Sequence, residues 1–317
     1  MDVDAGSDGQ RIDNFLAREL KGVPRGHLHR LLRRGEVRVN GGRARSGRRL
    51  RSGDRVRIPP VTVDADGERG GTPPDGMVQR LRESILHEEE TFLVIDKPGG
   101  VAVHAGSGVR WGVIEALRTG HPAGRELELV HRLDRETSGC LLVAKRRSAL
   151  RRLNAIVREG RLEKRYMALL RGRLPKGPVP VEARLDVHAR RGGERTVQVT
   201  GEGQWARSVF QRSELYPGAT LAEVAIETGR THQIRVHAAH LGHPIGADTR
   251  YGDPDWNAAL RASGLRRLFL HASAVGWTDP DSGDRHFYHC PLPGDLRATL
   301  EQLGSGPGAT NRTMDNE

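Results

Sequence analysis

The sequence predicts an α+β protein, with a small basic α/β module at the N-terminus and a second domain built on a large mixed, mostly antiparallel β-sheet. The chain has 317 residues, which is long enough for two domains. Strand-like and helix-like segments follow one another without the regular alternation of a parallel sheet. Positive charge is concentrated near the N-terminus, where residues 11–58 hold fifteen Arg and Lys against four Asp and Glu.

This charge distribution predicts a polyanionic partner. The net charge of the chain is +11, and residues 11–58 account for all of it, so the remainder is neutral overall. A localised positive excess is typical of nucleic-acid binders, although a merely solvated basic surface has the same count. The use of 46 Arg against five Lys indicates a GC-rich genome and does not by itself point to RNA.

The basic module, residues 11–60, is predicted to contain two helices and a small sheet. Apolar residues recur with helical spacing in two stretches, first at Ile12, Phe15, Leu16 and Leu20 and then at Leu28, Leu31 and Leu32. The alternating segments 37–40 and 53–58 predict strands, and Asn40-Gly41 marks a hairpin. Polar residues that lie off the apolar stripe or in the strands are the candidate RNA contacts: Arg25, Arg30, Arg33, Arg34, Arg38 and Asn40.

Composition also suggests domain limits. The acidic, polar residues 1–10 are expected to form a flexible tail, and residues 61–83 are expected to be a linker because they begin in a stretch rich in Pro, Gly and Asp. The second domain is expected over residues 84–303, and residues 304–317 are expected to be a disordered tail.

The second domain mixes strands and helices. Segments 91–98, 139–145, 165–172 and 220–228 have the apolar, β-branched character of strands, whereas 148–160 and 231–242 have helical periodicity. Thr231 is expected to cap the second of these helices, and Gly242 to end it.

Several protein classes are excluded by composition. No apolar run approaches the roughly 18 residues of a membrane span. The N-terminus resembles neither a secretory signal nor a mitochondrial presequence. The two cysteines, Cys140 and Cys290, are far apart, which argues against a disulfide scaffold and a thiolate zinc site and favours the cytoplasm.

The segment VHRLDRETSGCLLVAK (130–145) carries the most specific chemistry. Asp134 stands between Arg132 and Arg135, which favour its ionised form, and a Thr-Ser-Gly turn leads from it into an apolar strand. A carboxylate held on a loop before a rigid strand can act as a nucleophile or a base. A structural ion pair followed by a turn would have the same sequence.

This segment resembles the catalytic motif of RNA pseudouridine synthases of the large-subunit synthase A family. Four further segments resemble motifs of that family in the same order: VIDKPGGVAVH (94–104), EKRYMALLRG (163–172), TGRTHQIRVHAAHLGHPIGADTRYG (228–252) and RLFLHA (267–272). The N-terminal module is similar to the S-four-type RNA-binding domain, and several stretches resemble most the branch called large-subunit pseudouridine synthase C. The stretch 201–210 departs from the expected pattern at Gln204, Trp205 and Ser208.

The resemblance implies isomerisation of specific uridines to pseudouridine in large-subunit (23S) ribosomal RNA, without a cofactor or metal. It implies that Asp134 acts on the sugar, that Tyr166 stacks on the target base and that Arg235 pairs with the catalytic carboxylate. Arg132 is expected to help hold the flipped-out site. Residues within the matched motifs are expected to support the active site: His131, Lys97, Lys145, Arg230 and Leu270.

Other functions stay open at this point. The protein could modify other ribosomal or transfer RNA sites, or could be a non-catalytic RNA-binding factor of ribosome assembly. The histidines His232, His237, His240 and His243 resemble a metal site, but hydrogen bonding in support of the helix is the preferred interpretation because carboxylate and thiolate ligands are missing from the pattern. A cytoplasmic monomer that does not bind membranes is expected.

Overall fold

The computed structural model describes residues 1–4, 7–20, 23, 25–60, 72–106, 109–189 and 195–305, and the chain divides into two compact units, Met1–Thr72 and Pro73–Glu317. The predicted α+β class is confirmed in both units. None of the helices in the described ranges has the length and apolar character needed to span a lipid bilayer.

The first unit packs two helices against a three-stranded antiparallel sheet of order β2-β1-β3. Its hairpin turns at Asn40 and Gly41, whose φ values of 52° and 81° lie in the left-handed region that a tight two-residue hairpin requires. The turn predicted from the Asn-Gly pair is therefore confirmed. The elements are α1 (Ile12–Glu19), α2 (Arg25–Arg34), β1 (Arg38–Val39), β2 (Gly42–Arg43) and β3 (Val56–Arg57).

The start of the chain differs from the flexible tail expected over residues 1–10. The Met1 amine donates to the Val56 carbonyl at 2.9 Å, and Val3 is buried, with its amide bonded to the Asp54 carbonyl. These backbone bonds and one buried valine fix the segment beside β3. The acidic composition of the segment concealed this contact because it depends on residues about 50 positions away.

The second unit is built, among the described residues, on an 11-stranded sheet with the main path β10-β9-β11-β12-β8-β13-β7-β5-β4. The pairing of β13 with β7 is parallel and the other pairings are antiparallel, as expected for a mixed, mostly antiparallel sheet. The strands are β4 (Ile85–Glu88), β5 (Phe92–Lys97), β6 (Glu128–Leu129), β7 (Ser138–Ala144), β8 (Glu163–Arg171), β9 (Pro178–Ala189), β10 (Arg195–Val199), β11 (Gln204–Tyr216), β12 (Ala219–Ile226), β13 (Leu270–Thr278) and β14 (Arg285–His289).

Helices pack on the sheet, and together with the central strands they form the hydrophobic core of the second unit. Every residue of β7 is buried, and α5 packs Ala149, Leu153 and Ile156 into the same core. The helices are α3 (Asp75–Glu83), α4 (Val113–Gly120), α5 (Arg147–Arg158), α6 (Gln233–His240), α7 (Pro254–Ala262) and α8 (Gly294–Gly304). Because β7 is rigid, the loop that precedes it is firmly anchored at one end.

Two further expectations differ from the structure. The linker expected over residues 61–83 contains α3, which buries Leu81 and packs Met77 and Val78 on the core, because these apolar residues share one helical face. Residues 61–71 lie outside the described residues, as do 306–317 of the expected C-terminal tail. Helix α6 begins at Gln233 rather than after a Thr231 cap.

Candidate active site

A cleft of about 420 Å³, including its open mouth, lies at the start of β7. Asp134 lies in the loop before this strand, and its side chain is 31% exposed, so its carboxylate is accessible from the cleft. The loop, β8, β13 and the N-terminus of α6 supply the walls. Predicted site residues that line the cleft are Asp134, Arg132, Tyr166, Arg230, Arg235 and Leu270.

Arg235 lies on α6, and its guanidinium has two carboxylate partners. Its Nε and one terminal nitrogen donate to Asp248 at 2.7 and 2.8 Å, whereas its other terminal nitrogen lies 3.8 Å from Asp134 Oδ2. The expected pairing with Asp134 is therefore present, but the closer, bidentate partner is Asp248. Burial, the largest single influence, would raise the pKa of Asp248, but the hydrogen bonds and positive charge of Arg235 and the amides of Tyr251 and Arg250 together outweigh it, so its pKa is lowered.

Tyr166 is a buried residue of β8 whose side chain lines the cleft together with Ile226 and Leu270. Burial raises the pKa of its hydroxyl group far above its ordinary value, and the nearby Asp134 carboxylate acts in the same direction. The side chain is therefore a neutral phenol at any physiological pH. A neutral ring between apolar side chains can receive a nucleobase.

Lys97 anchors the loop that carries Asp134. Its fully buried ammonium donates to the carbonyls of Pro98 and Val101 at 2.8 Å and to that of Arg135 at 3.0 Å. Burial lowers the pKa of Lys97 to about 7. Its role is to hold two loops together beneath the cleft, since Arg135 directly follows Asp134.

The remaining expected support residues differ in their placement. His131 accepts a hydrogen bond at Nε2 from the Leu142 amide, and burial lowers its pKa to about 4, so it is a neutral residue beneath the loop. Lys145 is not in the cleft. It follows the opposite end of β7 and binds Glu88 and the Glu89 carbonyl, because that end of the strand lies beside the turn after β4.

Two residues that the sequence did not single out, Asp248 and Tyr251, contact Arg235; the Tyr251 ring centre lies 5.1 Å from its guanidinium. His232, which the sequence offered only as a member of the histidine cluster, lines the cleft and lies 3.9 Å from Asp134 Oδ2. Asp248 and Tyr251 both belong to the segment GADTRYG, which resembles a family motif. An unexplained acid in that motif, 13 residues from Arg235, is the signal that could have identified Asp248.

The histidines in and just after α6 have separate hydrogen-bond partners. His237 contacts the Ser208 hydroxyl at 3.0 Å, and His243 contacts the Arg171 carbonyl at 2.8 Å. Ser208, a departure from the expected pattern, thus supports this helix. The preferred structural interpretation of the histidine cluster agrees with these bonds. Among the described residues, no group of three or more His, Cys, Asp or Glu side chains is placed to hold a metal ion.

The candidate RNA contacts of the first unit are largely on its surface. Arg30, Arg33 and Arg34 are exposed on α2, as their position off the apolar stripe predicts. Arg38 is exposed, and the Asn40 amide bonds to Asp54 and to the Arg55 backbone, so it stabilises the hairpin. The side chain of the remaining candidate, Arg25, lies outside the described part of the structure.

Comparisons with known proteins agree with this site. The RNA pseudouridylate synthase family model matches residues 91–240, and the S4 domain model matches residues 10–56. The chain is 48% identical over 305 residues to the ribosomal large subunit pseudouridine synthase C of Salmonella typhi, covering 96% of both chains. It is 47% identical over 303 residues to the protein of the same name from Escherichia coli (strain K12), covering 95% of each.

Solved structures show the same fold. Human RNA Pseudouridylate Synthase Domain Containing 1 matches with a TM-score of 0.56 and 28% identity, over 68% of this chain and 86% of that chain. Human RNA Pseudouridylate Synthase Domain Containing 4 matches with a TM-score of 0.59 and 24% identity, over 72% and 95% of the two chains. The second similarity concerns the fold alone.

Proposed function

This chain belongs to the RNA pseudouridine synthase family, as an enzyme that isomerises uridine to pseudouridine, and we propose that its substrate is large-subunit (23S) ribosomal RNA. The near-complete coverage of relatives named for this activity supports the proposed substrate. The S4 domain and the positive charge concentrated in residues 11–58 supply a second RNA-binding surface, which belongs to the first unit. We propose that the enzyme acts as a monomer, since residues of one chain line the cleft, and that it acts in the cytoplasm, where its proposed ribosomal RNA substrate lies.

The observation that carries the chemistry is the partly exposed Asp134 carboxylate beside Arg235 at 3.8 Å. The reaction exchanges the N1–C1′ glycosidic bond for a C5–C1′ bond and moves a proton from C5 to N1, so there is no net oxidation. We propose that Asp134 acts on the ribose, as a nucleophile or as a base. Both roles require the ionised carboxylate, and the guanidinium of Arg235 lies 3.8 Å from it.

Access to the sugar requires that the uridine leave its helical stack. We propose that the flipped base stacks on Tyr166 and contacts Leu270, because these side chains form the apolar part of the cleft wall. Arg132 and Arg230 are exposed residues of the cleft lining, where guanidinium groups are suited to phosphate contacts. The cleft thus divides into a polar side for the sugar and backbone and an apolar side for the base.

The test is a comparison of the wild type with Asp134→Asn on large-subunit RNA from a strain that lacks the enzyme. Carbodiimide mapping should detect new pseudouridines after treatment with wild type and none with the variant, whose RNA affinity should change by less than about tenfold, or 1.4 kcal/mol. Product formation by a pure Asn variant would disprove the catalytic role. Conversion by wild type of transfer or small-subunit RNA, but not of large-subunit RNA, would disprove the proposed substrate.

A further inference from the structure

His232 lies beside Asp134 in an uncommon backbone conformation. It precedes α6 with φ 55°, in the left-handed region that residues other than glycine rarely occupy. This conformation brings the imidazole Nε2 to 3.9 Å from Asp134 Oδ2. The mechanism described above does not use this side chain.

A chain of hydrogen bonds determines which ring nitrogen carries the proton. The Val197 amide donates to the Tyr251 hydroxyl oxygen at 2.9 Å, and the same oxygen lies 2.8 Å from His232 Nδ1. Because the Tyr251 oxygen already accepts from the Val197 amide, the hydroxyl group can donate its own proton to Nδ1. A neutral ring that accepts at Nδ1 carries its proton on Nε2, which faces Asp134.

The charge state of His232 agrees with this arrangement. Burial lowers its pKa, although the carboxylates of Asp134 and Asp248 oppose the effect, while Arg235 and Arg250 reinforce it. The ring is therefore neutral at neutral pH. A neutral Nε2–H group can donate to the carboxylate without adding a second full charge beside Arg235.

Resting on the proposed catalytic role of Asp134, we propose that His232 is a positioning residue whose Nε2–H group, 3.9 Å from Asp134 Oδ2, orients the carboxylate by electrostatic attraction, with Tyr251 fixing its tautomer. The closest approaches of His232 and Arg235 are to the same oxygen, Oδ2. Two N–H groups near one oxygen favour the orientation of the carboxylate that leaves Oδ1 for the ribose. Arg235 cannot do this alone, because two of its nitrogens are bound to Asp248.

Three variants test this proposal by single-turnover kinetics across pH. The variant His232→Asn tolerates the left-handed backbone but lacks a donor at the Nε2 position. Its rate should therefore fall about tenfold, and the acidic limb of its pH–rate profile should move to higher pH by about one unit. Tyr251→Phe should lower the rate about threefold. When it is combined with His232→Asn in a fourth, double variant, it should cause no further loss. His232→Gln, whose amide nitrogen can stand near the Nε2 position, should restore part of the rate.

The matched control is His240→Asn, which replaces an exposed histidine of α6. Its rate and its pH–rate profile should equal those of wild type. An unchanged acidic limb in His232→Asn, or additive losses in the double variant, would overturn the positioning role. Nitrogen-15 NMR of the His232 ring tests the tautomer without any substrate, and a proton found on Nδ1 would overturn it too. If wild type does not convert large-subunit RNA, the proposed substrate fails, whereas the NMR result still decides this proposal.

Discussion

The two units of this chain use positive charge in opposite ways. In the first unit, Arg30, Arg33 and Arg34 are exposed to solvent on one helix. In the second, Arg235 and Lys97 are buried and each makes several hydrogen bonds. Exposed cations act through their number and are screened by salt, whereas buried cations act through geometry and are sensitive to the loss of a single partner. The charge composition of the sequence therefore reveals the exposed cations of the first unit but not the buried cations of the second.

The largest effect is expected for the buried pair of the cleft. Asp248→Asn removes the charge that holds Arg235, and Arg235 should then turn to Asp134 and occupy the carboxylate needed for the reaction. We expect the single-turnover rate to fall about 100-fold and the unfolding free energy to drop by about 3 kcal/mol, since the buried guanidinium loses its bidentate partner and the partly exposed Asp134 compensates its charge only in part. RNA affinity should change little.

Glu223→Gln is the matched control for Asp248→Asn, because it breaks the exposed pair between Glu223 and Arg165. Exposed pairs contribute about 0–1 kcal/mol, so rate and stability should stay close to those of wild type. Equal losses in the two variants would show that burial does not distinguish the pairs. That result would contradict the distinction between exposed and buried cations on which the comparison rests.

Lys97 offers a test through pH. Lys97→Met leaves the carbonyls of Pro98 and Val101 without their donor, and we expect a loss of about 2–4 kcal/mol in unfolding free energy. The pKa of Lys97 is about 7 in the folded chain against 10.5 for the ordinary side chain. Between these values the unfolded chain binds more protons, so the wild type gains stability as pH rises, and the deficit of Lys97→Met should be larger at pH 9 than at pH 7.

Urea unfolding followed by tryptophan fluorescence can measure this deficit, because Trp111, Trp205, Trp256 and Trp277 all belong to the second unit. The exposed Lys176 provides a control variant, Lys176→Met, whose stability should match that of wild type at both pH values. A deficit for Lys97→Met that shrinks from pH 7 to pH 9 would contradict the lowered pKa.

Local sequence patterns predicted what local interactions determine. The Asn40–Gly41 hairpin and the apolar strand β7 were predictable, because a turn type or an apolar run fixes them within a few residues. The placement of Lys145 was wrong because residues of one motif need not lie close together, and the seven-residue strand β7 separates Lys145 from Asp134. The start of α6 was misplaced too, since the His232 backbone depends on contacts with Tyr251 and Asp134 that no short pattern encodes.

The smallest effect is expected on the exposed face of α2. Replacing Arg33 and Arg34 with Ala should weaken RNA binding and make the slope of log K against log salt shallower by about 1–2, because each phosphate contact contributes roughly 0.7–0.9.

The comparison pair is Arg11→Ala with Arg18→Ala, which removes the same charge but from arginines already paired with Asp13 and Glu19. Their slope should change less, since their guanidinium groups are hydrogen-bonded to these carboxylates at 2.7 and 2.8 Å, whereas Arg34 lies 3.7 Å from its carboxylate neighbour Glu36. Equal changes in both double variants would mean that the first unit acts by total charge, whereas an unchanged slope for Arg33 and Arg34 would show that this face of α2 is only solvated.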